Sequence, residues 1–496
     1  MAVTSSWILD VFILFAIASF LLYKYSTRKF NYWKKRRIYN PKPLPFLGNF
    51  LDVLLLRCTL TEWFKNMYDS VNEPYFGIFV FDEPFLVIKS PELIKNITIK
   101  DFSYFMDRAV ALPTHNKIQS QVLFFQKSPE WKNDRVRLSP NFSSGKMKRM
   151  FPVISDISQN LVRYLDEHQE EVKVREVVGK YLTDITAKCF LGINSRCFDD
   201  YEAIFYKMAK DVFNLGLRNS IMQTMYLFKP NWVSLFHLDF AKKIHCDIFS
   251  EAVSISMRER TNRNVNKSDY VDILGNLNFP ELNIDKATEK ITGQLFQFFL
   301  AGYETTSTTI AVTLHELSLN PDIQNKLRKE ILISIDENRG ITYEAIQNMK
   351  YLRMCVTEVL RKYPIIPFLS RTCNEDYKVP GTNVVIEKGM SVLLPSYSVQ
   401  MDKKYFPEPT KYNPDRFLNI YSNENGLCYL PFGAGPRNCI GERFALLVTK
   451  MALCYILSEY EIQTCDPAPM ESISTYVLLS KIGSRIRFKK ITTKST

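Results

Sequence analysis

The hydrophobic pattern opens with one nearly unbroken apolar run, "WILDVFILFAIASFLLY" at residues 7–23, interrupted only by Asp10. Its 17 residues reach the lower end of the roughly 17–25 that cross a bilayer as a helix. "KYSTRKFNYWKKRR" follows at once, and a cationic flank of this kind stays on the cytoplasmic side. Nothing before residue 10 is positive, and the small triplet "AIA" at 16–18 lies inside the apolar run. Both points argue against a cleaved signal peptide. Residues 1–23 are therefore predicted to be a retained transmembrane anchor, with the remainder in the cytosol. Next comes "NPKPLPFLGN" at 40–49, whose three prolines stiffen a connector. Residues 24–49 read as a basic, proline-rich linker and 50–496 as the body.

Within the body, "YFGIFVFDEPFLVIKS" (75–90) is β-branched and aromatic around a turn, which predicts a hairpin. From about 130 to 270, apolar residues recur at three- and four-residue spacing, the signature of helices. "NSIMQTMYLFKPNWVSLFHL" (219–238) is too apolar for an ordinary surface connection; it is either core or a second membrane contact. A long helix is predicted from Asp285 to Leu319, then shorter helices to Tyr363 and strands in "VVIEKGMSVLLPSYS". Residues 401–441 are rich in Pro, Gly and Asn and carry few turns of helix, yet a helix resumes at once after Gly441. An irregular segment of that length in a compact protein is usually functional or disordered. No internal repeat is present. The expected class is one domain, mainly α with small β-sheets, on an N-terminal anchor.

Charge refines this picture. The net charge of +12 is concentrated at 24–42, with eight Lys/Arg and no acid, and at 481–496, with six and none. Removing those 14 from the 64 Lys/Arg leaves 50 against 52 Asp/Glu. The body is near neutral, which argues against a nucleic-acid partner. Ten cysteines are scattered without a C-x-x-C pair, so free, mostly buried thiols are expected in a reducing compartment. A cytosolic body would leave the three sequons at Asn96, Asn141 and Asn266 without glycan.

The chemistry centres on "PFGAGPRNCIGERF" (431–444). Cys439 is either a buried small residue or a ligand held out on a glycine-rich loop. A thiolate suits iron, copper or zinc, but zinc or an iron–sulfur cluster needs further protein ligands, and no second Cys lies within ten residues and no His after 315. Haem needs only one, because the porphyrin supplies four donors. Glycines at 433, 435 and 441 would let backbone approach a macrocycle and adopt positive φ. Arg437 would reach a propionate, and Phe432 would cover the sulfur. "GAG" lacks the third glycine of a dinucleotide fingerprint, and "HE" at 315–316 lacks the second His of a zinc-protease helix.

The run Phe432-Gly-Ala-Gly435-Pro-Arg437-Asn-Cys439-Ile-Gly441 resembles the haem signature of the cytochrome P-450 superfamily, and other motifs of that family follow in order. "AGYETT" (301–306) resembles its oxygen-activation motif; Ala301-Gly302 keeps one helix face free of bulk, and Glu304 and Thr305 form an acid–alcohol pair for proton delivery. By its residues alone, the same run is equally a polar helix face. Glu358 and Arg361 of "EVLR", joined by Arg416 of "NPDRF", are similar to the family's structural triad. Trp131 and Arg135 of "WKNDR", one helical turn apart, and Arg371 of "PFLSRTC" resemble its propionate ligands. Gln400-Met401 stands where relatives often have His and a basic residue, a departure placed at the haem edge. The resemblance covers residues 7 to about 490 and is strongest to animal, particularly insect, microsomal members acting on toxins and drugs.

What the resemblance implies is a haem-thiolate monooxygenase with haem b on Cys439. One atom of O2 enters a lipophilic molecule (xenobiotic, lipid or hormone), with Thr305 and Glu304 relaying protons. NADPH acts indirectly through a cytochrome reductase, with cytochrome b5 as a further electron-transfer partner. The expected place is the endoplasmic reticulum membrane, catalytic domain on its cytosolic face. Lys132, Arg137, Lys146 and Lys148 would meet the reductase. Substrate would contact Phe298, Ala301, Ile365 and Ile366, with 102–125 and 476–478 completing the pocket. The rival readings are a haem-thiolate isomerase or dehydratase acting on an oxygenated lipid, and a non-catalytic haem carrier.

Overall fold

The computed structural model describes residues 7–168, 171–200, 203–214, 216–263, 284–418, 428–465 and 485–491. Asn266 and the predicted pocket residues 476–478 lie outside these. The anchor forms a helix at Trp7–Thr27 that is long and apolar enough to cross a membrane, and none of its apolar window is buried. The stretch after it packs tightly. Trp33 is 1% exposed and donates through Nε1 to the carbonyl of Ile78 at 3.2 Å. Its indole lies where a side chain on Gly77 would be, so that glycine makes room for the basic segment. Arg28 and Lys29 pair with Asp82 and Glu83 at the turn of the predicted hairpin.

That hairpin pairs Tyr75–Val80 with Glu83–Ile88, antiparallel. Its second strand runs parallel to Ser391–Leu394, which pairs antiparallel with Leu369–Thr372 and completes a four-stranded sheet. The strand reading of "VVIEKGMSVLLPSYS" holds for Val385–Ile386 and Ser391–Leu394. Past Pro395 the chain turns into the short helix Ser396–Gln400 instead, because proline supplies no ladder donor.

The bulk is helical. The central helix spans Ile284–Leu319, one residue off its predicted start. Its Thr-rich run is poor helix sequence, but most of the hydroxyls are absorbed locally, the buried Thr306 hydroxyl excepted. Thr305 donates to the Ala301 carbonyl (2.6 Å), Thr309 to Thr305 (2.9 Å) and Thr313 to Thr309 (2.7 Å), the i−4 bonding open to such side chains. Helix Val174–Thr186 crosses the central helix closely. A Cβ on Gly302 would lie 2.9 Å from Thr186 Cγ2. Gly302 thus serves helix packing, and of the expected small-residue face only Ala301 is open.

Segment 219–238 is divided between core and surface. It forms helices Leu217–Phe228 and Pro230–Leu235. Tyr226, Phe228 and Val233 are core, while Leu217, Trp232, Leu235 and Phe236 are exposed. Asn96 and Asn141 are buried, so the folded chain has no room for glycan at either sequon.

Candidate active site

Cys439 follows a tight loop built by its own backbone. Gly433 and Gly435 have φ of +74° and +71°, values that side-chain-bearing residues rarely adopt. A Cβ on Gly435 would sit 1.7 Å from the Thr98 carbonyl oxygen. The close approach this glycine permits is therefore to protein backbone, where the sequence suggested a macrocycle. Phe432 closes the loop by accepting the Cys439 N–H at 2.8 Å, and its ring packs against the main core. Helix Glu442–Glu459 begins directly after Gly441.

Cys439 is the one exposed cysteine of the ten, although protein surrounds it closely enough for burial to raise its pKa. The thiol is thus reachable by a ligand yet closely framed by protein. The Gly441 N–H and the charges of Arg108 and Arg135 oppose that rise; Glu442 adds to it.

Cations crowd the same region. Arg371, 2% exposed, donates from Nη1 to the Ser370 carbonyl, and its buried Nε has no partner. Burial, with help from Arg108, pushes its pKa down to about 9. Arg437 is held down at about 8, by burial first and then Arg108, with Asp107 opposing and Arg371 adding. Its guanidinium stacks 3.9 Å from the Trp131 ring. Most of its donors are taken by the carbonyls of Met106 (2.8 Å) and Gln126 (2.8 Å) and by Asp107 (3.4 Å). Arg437 thus ties loops together more than it reaches into the cavity. Arg135 grips the Cys439 loop through Asn438, at 2.9 Å to its carbonyl and 2.7 Å to Oδ1.

Arg108, absent from the sequence-based set, donates to the Arg437 carbonyl at 3.0 Å, and burial lowers its pKa to about 10. Buried cations beside a single carboxylate are costly, so the cluster fits an anionic ligand. An orphaned Arg371 Nε, an accessible thiol and Trp131 together match a haem with two propionates.

The triad is complete. Glu358 and Arg361 are fully buried and bidentate, at 2.7 and 2.9 Å. Arg416 Nε reaches Glu358 at 2.9 Å and clamps the carbonyls of Pro407 and Glu408. Arg361 also holds the carbonyls of Gln400 and Pro409. Gln400 is buried in this network instead of lying at a haem edge. It donates to the Arg361 carbonyl (2.8 Å) and accepts from the Leu430 N–H (2.7 Å), bridging the triad helix to the Cys439 loop.

Two expectations change on the central helix. Glu304, 4% exposed, is ion-paired with Arg175 of helix Val174–Thr186, which the sequence gave no reason to single out. Glu304 therefore points away from Thr305's partly open face. Phe298 packs edge-on against Phe142 (5.1 Å) and near Phe190 (5.7 Å); it belongs to the core, not to a substrate surface. Gln297, overlooked, is open where Phe298 is closed. Ile365 is buried, and Ile366 is 39% exposed. Lys148 is engaged by Glu344.

An exposed thiol beside a cluster of buried arginines, one with an orphaned Nε, and a central helix left open at Ala301 and Thr305 is the arrangement of a haem-thiolate protein. The comparisons agree: the Cytochrome P450 family model matches residues 39–487. Cytochrome P450 6k1 of Blattella germanica is 34% identical over 99% of both chains. Cytochrome P450 3A11 of Mus musculus is 34% identical over 94% of this chain and 93% of its own. The chain belongs to the cytochrome P450 family. It is a P450 monooxygenase, with haem and a cysteine thiolate ligand.

Proposed function

We propose that Cys439 is that thiolate, with Arg371, Arg108, Arg135 and Trp131 holding the propionate edge and Arg437 bracing the loops around it, and that the substrate is a lipophilic small molecule. The observation that carries this is the accessible thiol facing a buried, under-neutralised arginine cluster. Bound haem supplies O2 activation. The chain's part is to seal and orient the site. Phe432 would shield the sulfur, Ala301 would leave the central helix open to the bound group, and Ile366 would present apolar surface to the ligand.

Thr305 donates to the Ala301 carbonyl, so its oxygen lone pairs face the cavity to accept and pass a proton. Glu304 would join this path only by releasing Arg175 and turning toward Thr305. Electrons come from an NADPH-dependent reductase meeting the exposed Lys132 side, with cytochrome b5 as a second donor.

The endoplasmic reticulum membrane, with the body on its cytosolic face, is the reading the anchor and its basic flank support. Asp82 pairs with Arg28 after the anchor and with Lys229 between the two apolar helices. This puts exposed Trp232, Leu235 and Phe236 on the anchor's side, where they would dip into the same bilayer. The test is vesicles holding this chain and the reductase, given a lipophilic probe such as testosterone. Oxygenated product that requires NADPH supports the reading. No product from the probe, with NADPH-independent rearrangement of a lipid hydroperoxide by the same vesicles, would favour the isomerase alternative.

A further inference from the structure

Between Ile291 and Leu317 the central helix is buried except at Gln297, Ala301, Gly302 and Thr305. Gly302 is spent on Thr186. The other three are spaced by four residues and so share one face, the face on which Thr305 and Ala301 open to the cavity. Gln297 is the only one of them with donors to spare. Its Oε1 accepts the backbone N–H of Phe124 at 2.8 Å. A backbone N–H can only donate, so the amide cannot be flipped. The NH2 group must point the other way, and it has no acceptor among the described residues. Phe124 in turn lies under the Arg108 guanidinium, 4.3 Å from its ring, so one residue separates Gln297 from the arginine cluster.

We propose that Gln297 is a specificity-determining residue whose side-chain NH2 hydrogen-bonds an oxygen acceptor on an otherwise apolar substrate. The proposal rests on the reading of this cavity as the substrate site and narrows it to lipophiles carrying a carbonyl or similar oxygen. A pure hydrocarbon filling the cavity would strip water from two amide donors and return nothing, and sites built this way reject ligands that lack the matching group. Gln297 and Thr305 are eight residues apart, about 12 Å of helix axis. An acceptor at Gln297 and the oxidised carbon near Thr305 therefore sit at opposite ends of a molecule about the length of a steroid.

The test uses matched pairs that differ by one carbonyl: 5α-androstan-17-one against 5α-androstane, and 9-fluorenone against fluorene. Binding to the haem-loaded protein is read from the Soret spin-state shift. In Gln297→Met the ketone-over-hydrocarbon affinity ratio of at least one pair should fall about fivefold or more, the worth of one net hydrogen bond. Gln297→Glu retains the acceptor for Phe124 but offers no NH2, and it should lose the same preference. If Gln297→Glu keeps the ratio, or if Gln297→Met changes both members equally in both pairs, the residue only braces the Phe124 loop and the proposal fails. Should Gln297→Met not load haem, Gln297→Glu decides alone. A wild-type holoenzyme that shifts with none of the four probes counts against the substrate-cavity reading itself, whereas shifts indifferent to Gln297 overturn this inference alone.

Discussion

Glu358→Ala is expected to leave almost no haem-loaded protein in the membrane fraction. Glu358 accepts from Arg361 twice, from Arg416 and from the Asn413 N–H. Removing it strands the fully buried Arg361 and releases Arg416. Breaking a buried ion pair from one side costs about 3–5 kcal/mol, a large part of the roughly 5–15 kcal/mol that keeps a typical domain folded. The damage also has a direction: the Pro407–Lys411 turn loses its clamp, and through Gln400 so does the loop leading to Cys439. Haem content per chain, measured by absorbance against immunoblot, checks this. Lys148→Ala, which breaks only the exposed pair with Glu344, should leave haem content unchanged. Full haem loading of Glu358→Ala would remove the triad from the account.

Thr305→Ala should leave NADPH oxidation intact while product falls by about 10²-fold or more and peroxide rises. Of the hydroxyls at 305–309 only Thr305 is not buried, so no neighbour replaces it. A placed proton donor is typically worth about 10²–10⁴-fold. Thr305→Ser keeps the hydroxyl and should keep most of the coupling. The readout is product formed per NADPH consumed. Equal ratios in Thr305→Ala and wild type would take Thr305 out of proton delivery.

Much of this was legible before folding. Period and turn chemistry marked the hairpin, the central helix and the helix after Gly441, because each is decided by local sequence. The triad was readable because its three residues lie in recognisable runs. What escaped depends on which way a side chain turns. Phe298 and Gln297 are neighbours on one helix, and only the packing of Phe142 and Phe190 decides which is core and which is lining. A spacing of four among Gln297, Ala301 and Thr305, with a polar residue inside "FQFF", was the available signal. Arg108 and Arg175 come from distant segments, so nothing local ties them to Cys439 or Glu304. Gly302 and Gly435 were read as open approaches, yet each admits protein, Thr186 in one case and Thr98 in the other.

The most direct measurement is the carbon-monoxide difference spectrum of the dithionite-reduced, membrane-expressed protein, with Cys439→Ser beside it. A strongly red-shifted Soret band in the wild type, lost in the variant, is the predicted result, because only a thiolate opposite carbon monoxide produces that shift. A wild-type band at the position of histidine-ligated haem, or a band unchanged in Cys439→Ser, would contradict the assignment of Cys439.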